Sequence, residues 1–467
     1  MRTIILTASL ALSLTACDMA PKYVRPELPV PAASPSGPAY PASEGGAAIV
    51  PADTAWRDFF TDPRLVRVID GALANNRDLR LAIANVEQAR AQYRVRRADL
   101  LPTVAASGSA TYQDTPFAQQ GGASGRADIY NASVGISAWE IDLFGRVRNL
   151  SRAAQEQYFA AQENRNAAQT ALIAETANAW LTLAADQERL RIARDLEGAF
   201  GETLELTRAR FARGIASELE VRQAQTSHDQ ARADIAAATT LVAQGQNALN
   251  LLAGASVPAA DLPTAMPEGN VTLSNLPADL PSTLLLRRPD IAAAEHQLRG
   301  ANANIGAARA AFFPNISLTA AFGTLSMGLS NLFGAGSDYW SVAPSASLPI
   351  FDFGRNQGNL RYARATYDAM VATYEKSVQT GFREVADALA RRGTMTAQLE
   401  AQSSLRDAAR VGYRLSEARF RAGVDPFLTT LDAQRTLYAA EQGVLATRLA
   451  RATNMVELYR AMGGGLK

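Results

Sequence analysis

Phe211-Ala212-Arg213-Gly214 recurs near the C-terminus as Phe420-Arg421-Ala422-Gly423, an offset of 209 residues. The same offset carries Phe144-Gly145-Arg146 onto Phe353-Gly354-Arg355, and Ala224-Gln225 onto Ala433-Gln434. It also relates Arg152 to Arg361, Tyr158 to Tyr367, Glu175 to Glu384 and Gly254 to Gly463. Upstream the offset becomes 212, pairing Asp78 with Asp290, Arg97 with Arg309 and Pro102 with Pro314. Two units of roughly 200 residues each follow, an old duplication rather than a short solenoid repeat. The first copy is three residues longer between Pro102 and Gly145. That suggests a loop, where insertions are tolerated.

Each copy runs in the same order. A helical segment near 63–99 or 281–311 ends at Pro102 or Pro314, as helices commonly do. Strand-like alternation follows. Ile316, Leu318, Ala320 and Phe322 alternate with Ser317, Thr319 and Ala321, and Trp340, Val342, Pro344, Ala346 and Leu348 alternate with small or polar residues. Tyr130, Ala132, Val134, Ile136 and Ala138 do the same in copy one, while 103–112 is weaker. Such alternation suits a membrane strand between lipid and a wet lumen. It equally suits a water-soluble hairpin with one buried face. Gly121-Gly122, Gly125, Gly328, Gly334 and Gly336 mark the connecting loops.

Long helices come next. No proline occurs from Phe117 to Val257 or from Ile350 to Asp425. The span from Gly145 to Arg213 would reach ~100 Å as one helix. Leu431, Tyr438, Leu445, Ala452 and Tyr459 stand on a seven-residue grid, as do Leu183, Leu190, Leu204 and Phe211 with Glu197 interrupting. This spacing gives left-handed coiled-coil packing. Each run breaks near Gly214 or Gly423. Ser217 and Glu220 read as a capping box, and Asp425-Pro426 as an N-cap followed by proline at the first helical position. Each copy therefore makes a helical hairpin.

The inventory excludes much. There are 46 basic and 45 acidic residues, so no basic stripe awaits nucleic acid. Two lone histidines, His228 and His296, and one cysteine cannot build a metal cluster. No nucleophile elbow or phosphate loop appears, so the chain does not read as an enzyme. Nor does it fit a periplasmic adaptor, which needs one hairpin and more strand.

Residues 1–16 read as a secretory signal peptide, with Arg2 ahead of an apolar run. Leu14-Thr15-Ala16-Cys17 resembles the lipobox of bacterial lipoproteins, which makes Cys17 the lipidated residue, a palmitate carrier. Asp18, next to it, resembles an inner-membrane retention signal of enteric bacteria. Eight prolines between 21 and 51 exclude helix over 17–52. Their composition fits an extended surface tether and a disordered linker alike.

Four strands per chain cannot close a barrel, which needs at least ~8, and open edges cannot sit in lipid. Three chains would supply about 12 strands and about 12 helical columns. The domain reading is then 53–256 for repeat one (β-hairpin about 103–140, turn near 214), 257–280 as linker, and 281–467 for repeat two (β-hairpin about 315–350, turn near 423).

Over essentially its whole length the chain resembles the outer-membrane factors of tripartite RND-type efflux systems, the TolC/OprM-like or NodT-type lipoproteins. The resemblance rests on Cys17 with Pro21, Tyr23 and Pro26, and on Trp56-Arg57-Asp58-Phe59-Phe60-Thr61-Asp62-Pro63. It rests equally on Leu280-Pro281-Ser282, Arg287-Arg288-Pro289-Asp290-Ile291, Phe420 to Asp425 and Leu431-Asp432-Ala433-Gln434-Arg435. It implies an α+β membrane protein: a homotrimer with a 12-stranded β-barrel and a long α-helical coiled-coil periplasmic barrel. It implies the outer membrane of a Gram-negative cell, no cofactor beyond the lipid on Cys17, and docking to a periplasmic adaptor (membrane fusion) protein and an inner-membrane RND transporter.

The resemblance also places a periplasmic gate at Leu428, Asp432 and Arg435, with Glu220 as a lesser partner. Three Leu428 side chains would form an apolar ring, which gates by excluding water. Asp432 and Arg435 would hold the tips by charge pairing, within or between protomers, although a pair three apart on a helix is ordinarily surface decoration. Gly214, Gly423, Val424 and Asp425 would form the turns that dock the adaptor. The rival within this architecture is the outer-membrane duct of a type I protein export system.

Overall fold

The computed structural model describes residues 18–40, 51–114, 126–274, 276–277 and 281–466. The signal peptide, Cys17, Pro41, Gly121-Gly122, Gly125 and Leu280 lie outside the described residues. In chain order the elements are α1 (Trp56–Phe59), α2 (Pro63–Asn75), α3 (Arg77–Ala98), β1 (Val104–Asp114), β2 (Arg126–Glu140), α4 (Arg146–Ala212), α5 (Glu218–Ala253), α6 (Pro289–Ala310), β3 (Asn315–Ser326), β4 (Asp338–Ser347), α7 (Arg355–Arg421) and α8 (Phe427–Ala461).

Two of the expected helices are shorter or split. The run 63–99 breaks at Asn76, whose side chain accepts from the Leu79 N–H and caps the second piece. The run 281–311 begins as a 3-10 turn, Ser282–Arg287, and turns α-helical only at Pro289. Proline disfavours helical backbone in the residue before it, here Arg288.

The chain divides into two compact units. Of the described residues, one unit takes those within 18–27, 85–162 and 293–374, and the other those within 28–84, 163–292 and 375–466. The first holds the sheet, antiparallel in the order β1-β2-β3-β4. Its register sorts the side chains. Val134, Phe322 and Trp340 are cross-strand partners on one face, joined by Ala320 and Val342. The other face carries Ser107, Ser133, Asn131 and Tyr339, with Asn131 donating to the Tyr339 hydroxyl at 2.7 Å. The apolar face is uncovered within the chain: Phe322 is 67% and Trp340 75% exposed. A soluble hairpin would bury that face, so this observation decides between the readings that alternation left open.

The extra length of copy one is not in the hairpin tip. β1 ends at Asp114 and β2 starts at Arg126, just as β3 ends at Ser326 and β4 starts at Asp338, so the 212 offset survives across the tip. The added residues fall in the second half of β2 and its exit, where the register slips between Ile136 and Trp139. Ala138 sits there at φ 47°, its N–H given to the Thr319 hydroxyl. A β-bulge absorbs part of the insertion.

Phe-Gly-Arg marks where sheet becomes helix in both copies. Gly145 and Gly354 adopt φ of 79° and 84°, accessible to glycine without a Cβ penalty. Asp142 and Asp352 then accept the N–H groups of Arg148 and Asn356 in the first turn of α4 and α7. Both helices run 67 residues. The N-terminal segment is held to the first unit by several polar contacts. Asn302 donates to the Pro21 carbonyl, and Arg25 and Tyr23 bond Glu295. Asp18 accepts from Arg152 and Asn149, each at 2.8 Å. Burial alone would raise the Asp18 carboxyl, but these bonds and one from the Ala20 N–H outweigh it and hold it at about 2.

The second unit holds the larger core. Trp56, Phe59, Leu65, Ile69, Trp180, Leu183, Leu249 and Tyr459 are fully buried. Phe59 stacks on Tyr459 at 3.9 Å between ring centroids, and the Tyr459 hydroxyl donates to the Thr54 carbonyl. Leu431, Leu445 and Tyr459 of the seven-residue grid are buried, and Glu197, which interrupts the other grid, hydrogen-bonds His228 at 3.1 Å. Among the described residues no group of three metal-ligating side chains converges.

The Arg287-to-Ile291 motif has its reason in this unit. Arg288 is 4% exposed and donates to both Asp290 oxygens, to Glu384 at 2.9 Å and to the Ala461 carbonyl at 2.9 Å. One guanidinium thereby ties the start of α6 to α7 and to the end of α8, in a fork that lysine cannot reproduce. Arg288→Ala leaves the part-exposed Asp290 and Glu384 carboxylates without their cation and the Ala461 carbonyl without its donor, and should cost ~1–3 kcal/mol. Thermal unfolding of the detergent-solubilised protein should show a clear fall in midpoint, only partly recovered by Arg288→Lys. An unchanged midpoint would contradict this role.

Candidate functional site at the helical hairpin turns

The two helical hairpins end in turns of matching geometry. In copy one, Gly214 N–H donates to the Phe211 carbonyl and Ile215 N–H to that of Arg210. In copy two, Gly423 N–H donates to Phe420 and Val424 N–H to Arg419. Gly214 and Gly423 have φ of 73° and 76°, the left-handed closure typical of helix ends. Both are exposed.

What restarts the helix differs. Ser217 and Glu220 form the capping box: Glu220 N–H donates to the Ser217 hydroxyl, and Ser217 N–H donates to the Glu220 carboxylate at 2.6 Å. Glu220 is thus occupied by its own helix end. In copy two the N-cap is Pro426, not Asp425, and the helix begins at Phe427. Asp425 instead takes two hydrogen bonds from Arg419, at 2.6 and 2.8 Å. The nearby guanidinium outcompetes a backbone N–H because both partners are charged. The same bonds hold the Asp425 carboxyl below its ordinary range.

The first turns of α8 are two-faced. Phe427, Thr430, Leu431 and Gln434 are buried, while Leu428, Asp432 and Arg435 lie on the exposed side, Leu428 at 58%. The structure therefore brings the three expected gate residues onto one stripe. It does not pair Asp432 with Arg435: among the described residues neither forms a salt bridge, so charge pairing within the protomer is not what holds this tip. Both point to solvent, where two long side chains gain little by ordering.

Val424 is 61% exposed. Sequence reasoning missed two companions, Ile215 and Leu219, which are 64% and 65% exposed. They are the 209-offset equivalents of Val424 and Leu428, and that offset was the available signal. Each tip thus presents a matched apolar pair.

A further contact joins the two hairpins. Arg210 donates to the Phe420 carbonyl at 3.0 Å and sits 4.7 Å from the centre of its ring. Phe420 packs with Leu204, Ala224, Phe427 and Leu431 in one apolar cluster. Arg421 pairs with Glu417 at 2.7 Å and with Glu202 at 3.4 Å. The tip is a packed, charge-laced structure with an exposed apolar rim. It can bind a partner and constrict a passage.

The outer membrane efflux protein family matches residues 68–255 and 280–464, once for each copy. Two Pseudomonas putida proteins, named a toluene efflux pump outer membrane protein and an antibiotic efflux pump outer membrane protein, are each 45% identical over 465 residues, covering 99% of this chain and 96% of theirs. A crystal structure of a membrane protein from Pseudomonas aeruginosa is similar with a TM-score of 0.89 and 40% identity, over 96% of this chain and 100% of that one. The fold is that of the TolC-like channels, and the chain belongs to the outer membrane efflux protein family, as the exit duct of a tripartite efflux pump.

Proposed function

We propose that three copies of this chain close one passive duct, tethered by lipid on Cys17 in the outer membrane. The duct receives small organic molecules from a periplasmic adaptor and an inner-membrane RND transporter. The observation that carries this reading is the four-stranded sheet, with one apolar face uncovered and β1 and β4 as its edges. Lipid satisfies the face, and neighbouring copies satisfy the edges. The names of the relatives, toluene and antibiotic pumps, support a cargo of small apolar or amphipathic compounds.

Leu428 supplies the apolar constriction. Asp432 and Arg435, which form no salt bridge among the described residues, act across the threefold axis between neighbouring tips. The exposed Ile215 and Val424, with Gly214, Gly423 and Asp425 at the turns, are the adaptor's docking rim. A single acyl chain holds weakly by itself, so the sheet provides the lasting anchorage and Cys17 an auxiliary one.

A deletion strain should become sensitive to aromatic solvents and to antibiotics, and the plasmid-borne gene should restore resistance. Unchanged sensitivity across solvents, antibiotics, detergents, dyes and metals would contradict the efflux reading. Asp432→Ala with Arg435→Ala should raise single-channel conductance in planar bilayers, and unchanged conductance would remove both from the gate. Cys17→Ser should abolish incorporation of labelled palmitate while the protein still fractionates with the outer membrane. Persistent labelling would sink the lipidation assignment.

A further inference from the structure

The duplication allows a contact within the chain to forecast one between chains. Arg210 and Phe420 meet across the two hairpins of one protomer. Carried forward by the 209 offset, with the ring closing on the next copy, the pair becomes Arg419 and Phe211 of the partner subunit. The two turns close with the same backbone hydrogen bonds, so Arg419 and Phe211 hold the places at their tips that Arg210 and Phe420 hold at theirs. Phe211 also looks like a contact waiting for its cover: it is 47% exposed, against 4% for Phe420. Among the described residues its carbonyl accepts only the Gly214 N–H.

The equivalence then fails at three positions. Arg419 is already held by both oxygens of Asp425, and the matching position in copy one is Ala216, so Arg210 has no such competitor. Phe427 and Leu431, which fill the seam inside the protomer, correspond to Glu218 and Arg222, which pair with each other at 3.1 Å. The seam within a protomer has a cationic latch and an apolar filling. The positions that the repeat would turn toward the next protomer carry neither.

We infer that the hairpin tips part between protomers while the two hairpins of one protomer stay together, and that Asp425 sets this difference by withholding Arg419 from Phe211 of the partner subunit. Asp425 is a positioning residue: it acts on the passage through Arg419. The inference rests on the trimeric duct proposed above. Its physical basis is competition. A bidentate Arg–carboxylate pair is stronger than a single bond to a neutral carbonyl, so Arg419 crosses the seam only when the carboxylate is removed.

The test is single-channel conductance of the full-length protein in planar bilayers. Asp425→Asn should lower mean conductance about twofold or more by tightening the constriction. Arg419→Ala alone should leave it at the wild-type level, and the double variant Asp425→Asn, Arg419→Ala should return to that level. Independently, Glu218→Phe with Arg222→Leu gives copy one the filling of copy two and should also lower conductance. If the wild-type protein conducts but Asp425→Asn does not change it, or lowers it equally without Arg419, the inference is overturned. If Glu218→Phe with Arg222→Leu leaves conductance unchanged, the seam argument fails. A wild-type protein that forms no channel would overturn the duct itself, and the inference with it.

Discussion

A four-stranded sheet in a bilayer leaves a row of backbone donors and acceptors along each outer strand, and hydrocarbon offers them no partner. Here those strands are β1 and β4. Side chains cannot solve this, because the apolar face bearing Phe322 and Trp340 is what the lipid demands. Pairing β4 of one copy with β1 of the next is the available answer, and repeating it until the sheet closes makes a barrel. Gly145 and Gly354 turn β2 and β4 into two helices of 67 residues, so each copy of the repeat passes from strand into the same long helix.

Duplication supplies near-equivalent walls, and small departures from equivalence supply function. The bulge in β2 is one departure, and it takes up part of the extra length of copy one. The tips are another. Copy two replaces Glu218 and Arg222 with Phe427 and Leu431, and Ala216 with Asp425. The first change makes an apolar seam and the second redirects an arginine. A tube whose six hairpins were identical would have six identical seams, with no preferred way to open.

Much of this was legible in the sequence because duplication and periodicity are linear properties. The 209 offset, the glycine breaks, the seven-residue grid and the Ser217–Glu220 capping box can all be read along the chain, and the structure contains them. Asn76 and Arg288 were harder. Whether an asparagine sits inside a helix or caps the next one depends on its neighbours in space, and Arg288 is explained only by Glu384 and Ala461, which are far away in sequence. Asp425 looked like an N-cap because Asp-Pro so often is one. Arg419, six residues back across the turn, competed for it and won. Whether alternating strands faced lipid or a protein core depended on what covers Phe322 and Trp340, which spacing alone cannot say.

One chain, with β1 and β4 as open edges, is an incomplete wall, and three copies would complete it. Native mass spectrometry of the full-length protein, extracted from outer membranes in mild detergent, measures this directly. The expected result is a single dominant species containing three chains, each carrying the mass of a covalent lipid. A stable species of one or two chains that still conducts in bilayers would contradict it.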